Sequence, residues 1–146
     1  MLFSQISSTS YSTNLTPAFT WQQTTEETFL NYTLLVDNNS DFSSPEYTRW
    51  LSPITNISYL LNESLVANMA YYWKVTAYDV FGSSTATAPF SYTTDTIVPT
   101  VGLHTPNDGG TLTSSQVLFN YTPTDTNLRN CTLYANFSGT FQENET

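Results

Sequence analysis

The chain has 146 residues and a formal net charge of −9, because twelve carboxylates face only three cations, Arg49, Lys74 and Arg129. Phosphate recognition needs clustered Lys and Arg, so nucleic acid and anionic membrane surfaces are excluded as partners. Charged residues make up 10% of the chain, against about 25% in ordinary soluble domains.

Thr (26), Ser (17) and Asn (13) supply the polar surface instead, as suits an extracellular protein that carries sugar. No run approaches the roughly 18 apolar residues of a membrane-spanning helix, so no membrane insertion is expected. Residues 1–13 lack the basic start and apolar middle of a secretory signal peptide, so the sequence reads as a mature segment or a fragment.

Short alternating runs separated by Pro, Gly, Asn, Asp and Ser predict strands throughout and no helix. Residues 17–23 place Phe19 and Trp21 on one face. Residues 31–37 set Tyr32, Leu34 and Val36 on one face, with Asn31, Thr33 and Leu35 on the other. Residues 46–51 form a weaker strand, and residues 56–61 group Ile57, Tyr59 and Leu61. Residues 71–79 alternate most clearly, with Tyr71, Trp73, Val75 and Ala77 on the inner face. A turn at 80–84 leads into 85–94, which carries Phe90 and Tyr92.

Residues 93–100 read as a linker, with Pro99 ending the ladder. A second unit follows, with strands expected at 101–105, 117–121 and 131–135 and a turn at Pro106-Asn107-Asp108-Gly109-Gly110. The single Cys131 falls in an alternating run and is expected to be buried and inert. The chain is thus all-β: a sandwich over 14–96, then an incomplete second sandwich over 97–146. Residues 1–13 have no evident partner in their own domain and are a candidate donated strand.

Residues 14–96 resemble a fibronectin type III domain. The carriers are Phe19-x-Trp21, Tyr32-x-Leu34-x-Val36, and Leu65 followed six residues later by Tyr71 in the run Tyr71-x-Trp73-x-Val75-x-Ala77. The resemblance implies a tyrosine corner, in which the Tyr71 hydroxyl bonds back to nearby backbone. Residues 97–146 resemble the first half of an immunoglobulin-like repeat of microbial surface proteins, through Pro99-x-Val101, Pro106-Asn107-Asp108-Gly109, Val117-x-Phe119-x-Tyr121 and Asn130-Cys131-Thr132-Leu133-Tyr134. Both resemblances imply immunoglobulin-like β-sandwiches.

Nine asparagines satisfy N-x-S/T: Asn14, Asn31, Asn38, Asn56, Asn62, Asn120, Asn130, Asn136 and Asn144. Chance spacing in so Ser- and Thr-rich a chain gives about four such sequons. A glycan must point to solvent, so its Asn must oppose the apolar face of its strand. Asn31, Asn56, Asn62, Asn120, Asn130 and Asn136 all have the opposing parity. Pro17 and Pro123 follow the Asn14 and Asn120 sequons and weaken them.

Catalytic machinery is not evident. His104 is the one histidine, and neither a Ser-His-Asp nor a Cys-His set can be assembled around it. There is no phosphate loop and no zinc spacing, and Glu26-Glu27 reads as a solvated loop, so no enzyme activity and no cofactor are expected. Asp37 with Asp41, or Asp95 with Asp108, offers at most a loop calcium site. Trp50 beside Arg49 and Tyr47 is expected to pack at a sandwich edge or subunit interface, with a sugar-stacking platform as the rival reading.

These features point to a structural subunit of an extracellular, N-glycosylated filament or cell-surface layer, built from copies of itself. The alternatives are a non-catalytic spacer in a larger secreted carbohydrate-active enzyme, or an adhesin module.

Overall fold

A computed structural model describes residues 10–136 and 139–144. It is all-β, with no helix among the described residues and therefore none long and apolar enough to cross a membrane. The chain divides into two units, Met1–Thr96 and Ile97–Thr146.

The first unit contains β1 (Ser10–Ser12), β2 (Ala18–Thr20), β3 (Phe29–Asp37), β4 (Tyr47–Leu51), β5 (Ser58–Leu60), β6 (Ala70–Asp79), β7 (Ser84–Ala86) and β8 (Phe90–Thr94). One sheet runs in the order β1-β8-β6-β3-β4, with β7 also on β6, and β2 pairs with β5 in a second sheet. The two long strands, β3 and β6, form the centre. Their alternation puts Tyr32, Leu34, Val36, Tyr71, Val75 and Ala77 on the inner face, all buried. Phe19 and Trp21 from the β2 side, with Leu61 and Leu65, cover that face and complete one core. Phe19 packs on Trp73 at 5.1 Å and Trp21 meets Tyr32 edge-on at 5.6 Å, so the layers interlock through aromatic pairs. Trp73 itself is only half-buried at the margin of this sandwich-like core.

Buried hydroxyls fasten the loops. The Tyr32 hydroxyl accepts from the Thr24 N–H (3.0 Å) and donates to the Ile54 carbonyl (3.1 Å). The Tyr71 hydroxyl accepts from the Val66 N–H at 3.0 Å, and Thr94 Oγ1 accepts from the Met69 N–H while donating to the Val66 carbonyl. Two side chains thus pin the segment between Leu65 and β6.

Burial raises the Tyr71 phenol above its ordinary value of 10.0. The unfolded phenol then ionises first, so this group's contribution to stability is present below pH about 10 and is lost as pH rises through the folded value. Tyr71→Phe is expected to cost about 1–3 kcal/mol at neutral pH by leaving the Val66 N–H unpaired. It should also flatten the loss of stability above pH about 10, and urea unfolding of both chains across that range checks both effects.

Several expectations are corrected. Residues 10–12 are not without a partner: they pair in parallel with β8, Ser10 opposite Tyr92 through Ser12 opposite Thr94, covering an edge that is otherwise open. Residues 1–9 lie outside the described residues. The run 85–94 is two strands, split where Thr87 turns inward to bond Val75. The expected 31–37 strand extends back to Phe29, where a register shift between Phe29 and Asn31 leaves Leu30 half-exposed and lets Phe29 pack on Tyr32 at 4.6 Å. Ile57 is exposed and Asn56 half-buried, the reverse of their expected parity, because the regular strand begins only at Ser58.

The second unit contains β9 (Thr100–Thr105), β10 (Asn120–Thr124), β11 (Leu133–Ala135) and β12 (Gln142–Asn144). It forms two separate hairpins, β9 with β10 and β11 with β12. β10 begins three residues later than the expected 117–121 strand, so Val117 and Leu118 stay exposed outside the ladder. Cys131 is exposed, not buried, because β11 starts two residues beyond it. Ala135 is the one buried residue among those described in this unit.

Candidate functional site

Two features rise above ordinary surface: the distribution of sequon asparagines, and an apolar groove in the second unit. Asn14, Asn38, Asn62, Asn120, Asn130 and Asn136 are exposed, whereas Asn31 and Asn56 are half-buried. The Asn144 side chain, and the residues that complete the Asn136 and Asn144 sequons, lie outside the described residues.

Local hydrogen bonding orients several of these amides. Asn14 Oδ1 accepts from both the N–H and the hydroxyl of Thr16, at 2.9 and 3.3 Å, closing a turn within its own sequon. Asn62 Oδ1 accepts from the Tyr59 hydroxyl at 3.2 Å. Asn38 sits on a loop organised by fully buried Asp37, whose carboxylate accepts from the N–H groups of Asn39 and Ser44. Asn31 lies on the outer face of β3, with its Oδ1 buried and unpartnered.

The calcium reading gains no support from this geometry. Asp37 is occupied by backbone donors, and Asp41 accepts from the Ser43 N–H, which holds its carboxyl below the ordinary carboxylate range. Asp95 and Asp108 belong to different units, and no group of three metal-ligating side chains occurs among the described residues. Glu26 caps a local turn through Thr28, and His104 Nε2 is 2.8 Å from Thr122 Oγ1 on the β9–β10 hairpin.

The Tyr47-Arg49-Trp50 group is divided by the strand. Arg49 stands opposite core Leu34, so it points to the inner face of the sheet. It donates to the Tyr59 hydroxyl (2.8 Å) and to Glu63 (2.6 Å), and lies 5.7 Å from the ring centres of Tyr47 and Tyr59. That hydrogen bond to Tyr59 is the main cause of the raised Arg49 pKa. An inward-facing cation on the edge strand β4 also discourages edge-to-edge pairing. Trp50 points the other way and is 71% exposed.

In the second unit the register places Tyr121 opposite Leu103 and Pro123 opposite Val101, giving one apolar face to the β9–β10 hairpin. With Leu128, Cys131 and Leu133 this face lines an open groove of about 280 Å³, rimmed by Asn130 and Thr132. Leu103 is 82% exposed, so the groove is uncovered. The alternation Val101-x-Leu103 is the sequence signal for its floor; nothing local signals that the 128–133 segment forms its wall.

No protein-family model matches this sequence, and no curated protein is significantly similar to it.

Proposed function

We propose that the chain is a non-catalytic structural subunit of an extracellular filament or surface layer, sheathed in N-linked glycan and assembled from copies of itself. The observation that carries this reading is the exposure of sequon asparagines on both units, Asn14, Asn38 and Asn62 on the first and Asn120, Asn130 and Asn136 on the second. Sugar at those positions is a distributed sheath, unlike a single decorated patch, and it substitutes for the missing charged surface.

The first unit is read as a fibronectin type III-type sandwich, supported by the Tyr71-to-Val66 hydrogen bond and by the core formed between two sheets. The second is read as a partial immunoglobulin-like fold. Its uncovered groove supports assembly, because a neighbour's strand or apolar face laid there removes Leu103 and Val101 from water. A head-to-tail contact of that kind does not close on itself and propagates as a fibre.

Mass spectrometry of the native material, before and after deglycosylation, is expected to find sugar on most of the nine sequons. Unmodified asparagine at all six exposed positions would end the sheath reading. Because Asn130 stands on the groove rim, a glycan there competes with a docked neighbour. It is therefore expected to be the least occupied exposed site in assembled material.

A further inference from the structure

The outer face of the central sheet carries an arrangement that the sheath reading leaves unused. β3 runs between β4 and β6, and its outward residues include Asn31 and Thr33, the two ends of one sequon. Asn31 stands opposite Tyr78 on β6. Thr33 stands opposite Trp50 on β4 and Thr76 on β6, so Trp50 is the diagonal neighbour of Asn31 on the same face. Diagonal neighbours lie about 7–8 Å apart, within reach of large side chains. The indole is 71% exposed.

We propose that this face is a cradle for the chain's own N-linked glycan at Asn31, with the Trp50 ring as the platform on which the first sugar ring stacks. The inference rests on the glycosylation reading above and names the role of one site within it. A pyranose linked to the asparagine amide extends past the neighbouring side chain, so its reach matches the diagonal spacing. One face of such a ring is a patch of C–H groups that packs on an indole, while its hydroxyls remain at the polar rim. Thr33, beside the indole, and Thr76, one strand further on, are both buried and form the floor of the cradle, and Tyr78 forms the opposite wall. Attachment to a central strand fixes the sugar at high effective concentration, so a weak contact suffices to hold it. The stacked sugar in turn covers an aromatic surface that the fold leaves in water.

The test uses the full chain secreted from a glycosylating eukaryotic host, and the same chain from bacteria without glycan. Site occupancy is read by mass spectrometry, and sugar-proton shifts by NMR. Thermal midpoints are compared for the parent, Asn31→Gln, Trp50→Ala and the double variant. The expected result is an occupied Asn31 whose first-sugar protons are shifted upfield by the indole, the shift vanishing in Trp50→Ala and in Asn31→Gln. Each single change should lower the midpoint of the glycosylated chain by about 3–5 °C, the double variant no further, and Trp50→Ala should leave the bacterial chain unchanged.

Unshifted sugar protons with additive midpoint losses overturn the cradle while leaving the sheath intact. So does a shift that persists in Asn31→Gln, or an empty Asn31 beside occupied Asn14, Asn38 and Asn62. Absence of sugar at every site overturns both.

Discussion

Trp21→Ala is expected to lower the stability of the first unit by about 3–5 kcal/mol, the usual cost of removing a large buried aromatic. Trp21 is 8% exposed and follows the short strand β2, whose sheet covers the β3–β6 face. Its ring meets Tyr32 edge-on, and its backbone N–H donates to the Ile57 carbonyl at 3.0 Å, tying it to the segment before β5. The substitution leaves that backbone bond but opens a cavity against Tyr32, which is wholly buried. A loss of this size is a large part of the roughly 5–15 kcal/mol that holds a domain together.

Urea unfolding followed by far-ultraviolet circular dichroism reads the effect as a lower midpoint at unchanged slope. Trp21→Phe separates volume from polarity. The indole Nε1 is buried without a partner, so the phenylalanine variant keeps most of the apolar bulk and removes an unsatisfied donor. It should cost much less than the alanine. An alanine variant that unfolds at the parent's midpoint would show that Trp21 is not in the core.

The second large effect concerns assembly. Leu103→Asp is expected to weaken self-association by about ten- to a hundredfold, because burying one Leu side chain contributes about 1.5–3 kcal/mol and each 1.4 kcal/mol is tenfold in Kd. Leu103 is 82% exposed in the single chain, so the change leaves the fold of the monomer alone and acts only where a neighbour covers the groove. The introduced carboxylate adds a desolvation cost in the same place. Leu128→Asp, across the groove, should act in the same direction. Sedimentation velocity and negative-stain microscopy of parent and variants read the outcome. Equal association of parent and both variants would remove the groove from the assembly, and circular dichroism confirms that the variants remain folded.

The two long strands were legible in the residues themselves. Tyr32-x-Leu34-x-Val36 and Tyr71-x-Trp73-x-Val75-x-Ala77 alternate with period two, and strand geometry sends alternate side chains to opposite faces whatever the partner strand. The inner faces of β3 and β6 follow from that local rule, as does the position of Phe19 and Trp21. The sequons were likewise legible as a pattern, and the exposure of Asn62, Asn120 and Asn136 agrees with their expected orientation, whereas Asn130 and Cys131 are both exposed ahead of β11.

Tertiary structure decided what depends on residues far apart. The extra residue at Leu30 reverses the parity of the start of β3, because the register with β6 is set by pairing across the sheet. The parallel docking of β1 on β8 joins residues about eighty positions apart, and no short-range signal announces it. Arg49 and Trp50 are adjacent in sequence but serve opposite faces, and the inward one finds Tyr59 and Glu63 only once β4 and β5 lie at the same edge. Cys131 has the alternation of a buried strand residue and yet is exposed, because its segment lacks a packed layer to face. Alternation fixes which side of a strand is apolar; whether that side is covered is a property of the elements opposite, and in the second unit the described residues leave it open.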